Sequence, residues 1–597
     1  MATACFEQLP DEILLLVFKH LLSYDILMAF SKLNGRLDKT IRLLIRGIDL
    51  TQDLSMTKFQ HLCTNVFPFT CENIHRLTLS NEYAPNQMLL LDQGYTGTFP
   101  NLRCLTLTQF TDNSVNLLLK MLKIRSLREL TVTNIEGLQR LLSGQTIKSL
   151  EHHLLHEKHE LEKLEITINE GLSFCQPIKN YFNIKDIRLD VKALDDLFLL
   201  FELLPNLKRL RVCVHKYQQT KWNAPLKFPP DLTQFHLETI DKNVISFTDV
   251  ECLLKDLKTL EFLSIDLSTI DASFIDGLRW ESILKTLPKI FKVKLLIRLH
   301  NSSGVDCPSI ERIFSSNFWL NKLHTYVSCY ASRDIVYLDT MPYYFLKHND
   351  WLTTSIFQYE AIKTSRECVF KRVYRLSVDG DYHQSKLSQW FDIIKQFPLL
   401  RELFLSSINI PEQLEEEPIS CISVLPHVRR LHICRSRHNE INLQFFGQLL
   451  RMLPNLCTLN ISYVELMCIH EINLSRITHL EISLHECDGQ IQLDDVRYLS
   501  DIFPNLKHLK FTLHSHHTMK RGDRETILRD LLNSFNNLIS FEMLCSKDLK
   551  FHFLDNHWYN LHKSQLNHWL DDNVSRLTSR QQIYKAEYAK KYFVLWL

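Results

Sequence analysis

The chain has 597 residues, 45% of them hydrophobic and 23% charged, the balance of an ordinary globular protein. Its 69 basic and 68 acidic side chains leave a formal net charge of +1, so no global attraction to nucleic acid or to an anionic membrane follows. Only 13 glycines occur, against glycine-rich linkers and tight-turned all-β folds, and no apolar run is long enough to span a membrane. The 16 cysteines are scattered without a CxxC pair and read as buried reduced thiols rather than a secreted disulfide framework. The opening residues carry Glu7, Asp11 and Glu12 and show no basic stretch or cleavage site, so an intracellular setting, cytoplasm or nucleus, is expected.

The first element is "LPDEILLLVFKHLL" (9–22), predicted as a helix through Leu22. Pro10 suits the first helical position, and Asp11 and Glu12 face the positive end of the helix dipole. Ile13, Val17 and Leu21 make one apolar stripe and Leu14, Phe18 and Leu22 another. A helix apolar nearly all round needs cover on nearly all sides. A second short helix is predicted at Asp25-Ile26-Leu27, ahead of the segment Leu33-Asn34-Gly35-Arg36-Leu37.

From about residue 70 one phrase keeps returning: "FPNLRCLTL" (99–107), "IRSLRELTV" (124–132), "LPNLKRLRV" (204–212), "LKTLEFLSI" (257–265), "FPLLRELFL" (397–405), "LPHVRRLHI" (425–433), "LPNLCTLNI" (453–461) and "FPNLKHLKF" (503–511). The shared core is L-x-x-L-x-L, recurring after 25 residues from Leu107 to Val132 and after 28 from Leu405 to Ile433 and again to Ile461. Such periods mark a repeat array. Helices fill the intervals. Residues 111–123 place Val115, Leu118, Leu119 and Leu122 on one face behind Thr111 or Asp112; residues 247–258 place Val250, Leu253, Leu254 and Leu257 behind Thr248; residues 439–454 end at a proline. Each unit is strand, turn, helix, turn, and must stack on its neighbours to bury its apolar face. Residues 268–370 keep loose copies such as "LNKLHTYV" (320–327) and hold Tyr326, Tyr330, Tyr337, Tyr343, Tyr344 and Trp351. They read either as degenerate repeats or as an insertion forming a binding loop. Residues 546–597, with Trp558, Trp569 and Trp596, lack the repeat and are expected to cap the core.

Over residues 45–545 these units resemble leucine-rich repeats of the longer, helical kind. The resemblance implies an α/β solenoid, with a parallel concave sheet and convex helices, behind a short all-α N-terminal domain. Residues 9–37 resemble an F-box, on the Leu9-Pro10-Asp11-Glu12 start, the apolar helix and the two segments that follow. Where that family usually reads Val-Cys-Lys-Arg-Trp, Asn34 stands for the cysteine and Leu37 for the tryptophan, and Gly35 lowers helix propensity. The resemblance implies an F-box-like domain at 5–44 that docks on a Skp1-like adaptor and through it on a cullin-RING ubiquitin ligase. Leu9, Pro10, Ile13, Val17, Leu21, Ile26 and Leu27 are the candidate adaptor surface. The repeats would then hold an unknown protein substrate, making the chain the substrate-recognition subunit of an SCF-type ligase. The alternative is a leucine-rich-repeat scaffold or sensor with no ubiquitin role.

Outward positions of the repeat strands give the candidate substrate-binding residues Arg209, Arg211, Arg430, His432, His508 and Lys510. The last four suggest a basic arc suited to an acidic or phosphorylated target segment. No phosphate-binding glycine loop, nucleophile elbow or H-E-x-x-H helix occurs, so no enzyme and no cofactor are expected. His152 and His156 stand four apart in "EHHLLHEKHE" but lack a third ligand, and read as a solvated face rather than a metal site.

Overall fold

In the computed structural model three helices precede the first strand: α1 (Asp11–Phe18), α2 (Ser23–Phe30) and α3 (Gly35–Leu44). The structure describes residues 9–545 apart from 52–53, 83, 85–86, 95–98, 134–143, 157–159, 169–170, 174–182, 217–227, 240–244, 303, 333–334, 342–346, 349–373, 380–396, 398, 407–423, 435–442, 468–473, 485–492 and 514–523, together with 570, 572, 585–589 and 592–596. Tyr343, Tyr344, Trp351, Trp558 and Trp569 lie outside the described residues.

Helix α1 stops at Phe18, short of the predicted end at Leu22. Its last turn tightens, with the N–H of His20 bonded to Val17 O and that of Leu21 to Phe18 O, three residues back in each case. Helix α3 forms despite Gly35, because Asn34 caps it: its side-chain oxygen accepts the Leu37 N–H at 2.8 Å. The glycine sits in the first turn, where it costs little. Leu37 is buried with Ile41.

The chain divides into two compact units, residues 1–262 with 287–289 and 596–597, and residues 263–286 with 290–595. In the first, eight strands follow one another in chain order: β1 (Gly47–Asp49), β2 (Arg76–Ser80), β3 (Cys104–Thr108), β4 (Glu129–Thr133), β5 (Lys163–Thr167), β6 (Asp186–Val191), β7 (Arg209–Val214) and β8 (Gln234–Thr239). Every neighbouring pair is parallel. The second leucine of L-x-x-L-x-L lines up from strand to strand, Leu77, Leu105, Leu130, Leu164, Ile187, Leu210 and Phe235, and all are buried. Residues between them alternate outward, as the pleat requires. Helices lie between strands, among them Val115–Leu122 and Phe247–Lys255. The second starts one residue before Thr248: Ser246 is its cap, forming a reciprocal capping box with Asp249.

In the second unit β9 (Phe262–Thr269) and β10 (Lys292–His300) continue the strand–helix plan, with helix Gly277–Lys285 between them. The plan then breaks. β11 (Tyr326–Ser332) and β12 (Ile335–Met341) form a hairpin whose second strand runs antiparallel to β10. "LNKLHTYV" is therefore not a repeat copy: a helical turn over Phe318–Lys322 leads into the outer hairpin strand, Tyr326 at its start. A second sheet follows in chain order: β13 (Lys347–His348), β14 (Arg375–Asp379), β15 (Glu402–Ser406), β16 (Arg430–Cys434), β17 (Thr458–Ser462), β18 (His479–Leu484), β19 (His508–Leu513) and β20 (Ser540–Cys545), all parallel. Leu376, Leu403, Leu431, Leu459, Leu480, Leu509 and Phe541 form its buried ladder. β22 (Tyr592–Trp596) and β21 (Lys585–Ala589) come after β20 in sheet order, so the described part of the tail adds strands there.

Asparagines in the turns before the strands stitch neighbouring repeats together. Side-chain N–H groups of Asn455, Asn505 and Asn537 donate to the carbonyls of Pro426, Ser475 and Pro504 at 2.8, 2.9 and 3.1 Å. Asn101 does the same to Glu72 O at 2.7 Å in the first unit. This mixed α/β arrangement, long parallel strand runs alternating with helices, is compatible with a solenoid. Among the described residues no helix is long and apolar enough to cross a membrane.

Candidate functional site

The N-terminal helices complete a small core and leave an apolar face uncovered. Leu14 and Phe18 of α1, Ile26 and Leu27 of α2, and Leu37 and Ile41 of α3 are buried, with the Phe18 and Phe30 rings 5.1 Å apart. Ile26 and Leu27 are therefore interior to the fold and supply no outer surface. Arg36 ties α3 to the start of α1: its guanidinium lies 2.7 Å from Asp11 Oδ1 and also bonds the Leu9 carbonyl.

On the other side Ile13, Val17 and Leu21 are 42%, 36% and 41% exposed, beside an exposed Pro10 and a half-buried Leu9. Sequence reasoning missed Leu16, Leu22 and Leu33, which are 54%, 40% and 56% exposed. The apolar pattern continues the helix through Leu22, whereas the chain has turned by then. Phe69, also exposed, carries the Lys32 ammonium 4.2 Å from its ring centre and so adjoins the turn between α2 and α3. Fully burying such a side chain yields about 1.5–3 kcal/mol, so each half-exposed one has roughly 1 kcal/mol still to gain from a partner. Six of them offer roughly 6 kcal/mol before the costs of association are met.

The outward strand positions carry charges that are largely answered across the sheet. In the first unit Arg209 is exposed and pairs with Asp186 at 2.8 Å, Arg188 pairs with Glu165 at 3.1 Å, and Arg211 is exposed. In the second unit Arg430 and Arg375 flank Glu402 at 3.6 and 3.8 Å, and Lys510 meets Glu481 at 2.7 Å. His432 lies flat on Phe404 with ring centres 3.9 Å apart, and the Arg375 guanidinium stands 4.1 Å from the Phe404 ring centre. Burial, reinforced by Arg375, Arg430 and Lys510, pushes the His432 imidazole down to about 3, so it is neutral. His508 is buried, stacked on His479 at 4.3 Å and bonded through Nδ1 to Ser540 Oγ at 2.7 Å.

Arg430, His432, His508 and Lys510 thus form no free basic arc, because carboxylates one strand away neutralise the cations and both imidazoles are packed into the sheet. His152 is exposed, while the side chain of His156, like the histidines at 514–517, lies outside the described residues. No family model matches the chain, and no curated protein matches it.

Proposed function

We propose that the chain is a non-catalytic substrate receptor of a cullin-RING ubiquitin ligase. In this reading α1–α3 are an F-box that docks on a Skp1-like adaptor, and the strand–helix units are leucine-rich repeats that hold the protein to be ubiquitinated. The supporting observation is the exposure of Ile13, Leu16, Val17, Leu21, Leu22 and Leu33 on and beside short helices whose Leu14, Phe18, Ile26, Leu27, Leu37 and Ile41 are buried. Apolar side chains on short helices are the chemistry by which one helix face is received by a partner's groove. The receptor contributes proximity: tethering raises the target's local concentration at a ligase that supplies the bond-forming chemistry.

Adaptor and cullin should co-purify with the wild-type chain and be lost from Ile13→Asp/Val17→Asp, whose positions are exposed and whose folding is checked by circular dichroism. Equal recovery of adaptor with both proteins would refute the reading and leave a repeat scaffold without a ligase.

A further inference from the structure

Asp190, Cys213 and His215 meet at the C-terminal ends of β6 and β7. Asp190 and Cys213 are register partners on the two parallel strands, and His215 follows β7 directly, its N–H bonded to Val191 O at 3.0 Å. Strand alternation puts all three on the outward side that carries Arg188 and Arg211, yet they are only 6%, 9% and 6% exposed. A neighbouring turn crosses the end of β6. The Leu172 N–H donates to Asp190 O at 2.8 Å, and Gly171, at φ +70°, passes so close that a Cβ would lie 2.5 Å from the Val191 carbonyl carbon.

The donor atoms of the three side chains, one from each, all lie within 4.8 Å of one another. His215 Nε2 is fully buried without a hydrogen-bond partner and stands 3.9 Å from Asp190 Oδ2, beyond hydrogen-bond reach. Buried polar atoms are rarely left unanswered, so this nitrogen points to a missing ligand. The Ile168 N–H, 2.8 Å from Asp190 Oδ2, fixes the carboxylate's orientation, as outer-shell donors do around metals. One imidazole, one thiol and one carboxylate make a donor set that suits a borderline-soft ion and disfavours magnesium or calcium.

We propose that Asp190, Cys213 and His215 bind one zinc ion, with water in the fourth position, and that the ion clasps the ends of β6 and β7 beside Gly171 and Leu172. Binding draws the donor atoms together by roughly 1 Å, to the metal–ligand lengths zinc requires. The Cys213 thiol loses its proton to solvent as the zinc–sulfur bond forms.

The test uses the full-length chain, stripped with a chelator and kept reduced. Titration with cobalt(II) should give a thiolate-to-metal charge-transfer band that saturates at one equivalent, and zinc should abolish it by displacement. Cys213→Ser should remove the band, and His215→Ala should weaken zinc binding by more than about 100-fold, beyond what loss of an outer-shell partner costs. His152→Ala should change neither. No band from the wild-type protein overturns the proposal, and so does a band that survives Cys213→Ser, since another cysteine would then be the ligand. The wild-type titration decides on its own, so a variant that fails to fold does not shield the proposal.

Discussion

Replacing His432 by phenylalanine should make the chain less sensitive to acid. The imidazole is stacked on Phe404 and held down to about 3, by burial first and then by Arg375, Arg430 and Lys510. In the unfolded chain the same side chain titrates near 6.5. Between those two values the unfolded state binds a proton that the folded state does not. The stability this residue permits is therefore full above about pH 6.5 and is lost progressively as the pH falls toward 3. At about pH 5 the loss from this one group is about 2 kcal/mol relative to about pH 8. Phenylalanine keeps a ring of similar size on Phe404 and cannot take up a proton. Urea unfolding of both proteins at the two pH values measures the difference. The wild type should lose about 2 kcal/mol more than His432→Phe, and parallel losses would refute a neutral His432.

Other substitutions probe the joints of the fold. Asn505→Ala removes the 2.9 Å bond to Ser475 O and should cost about 1 kcal/mol in urea, with Asn455→Ala, at 2.8 Å from Pro426 O, behaving alike. Asn34→Ala removes the cap of α3 and should cost about 1 kcal/mol, seen as faster amide exchange across 35–44 with the strands unchanged. Gly171→Ala forces a side chain into φ +70° and against the Val191 carbonyl, and a loss exceeding about 1 kcal/mol is expected; unchanged stability would mean the turn relaxes freely.

The leucines were the legible part of this chain. L-x-x-L-x-L fixes which residues point inward, and the buried ladders from Leu77 to Phe235 and from Leu376 to Phe541 follow from that alternation. The hairpin Tyr326–Met341 was hidden because "LNKLHTYV" imitates the phrase; strand direction depends on the partner β10, which local pattern does not encode. The end of α1 was misread for a related reason: apolar residues continue through Leu22 although the backbone turns after Phe18. Charge was hardest to read. Arg430 looks unopposed along the chain, and only the register brings Glu402 beside it. The same register joins Asp190 to Cys213, a pairing separated by more than twenty residues of sequence and invisible to any spacing motif.

The central claim is that α1–α3 present an apolar surface to a Skp1-like adaptor, and calorimetry of purified adaptor with the full-length chain tests it most directly. Wild type should bind with one-to-one stoichiometry. Leu16→Ala and Leu33→Ala, truncating the two most exposed leucines of the face, should each weaken binding by about 1–2 kcal/mol while leaving the urea transition in place. Ile26→Val, a change inside the module, should leave affinity nearly unaltered. No heat of binding from a wild-type chain with intact helices, or affinity unchanged in both leucine variants, would contradict the account.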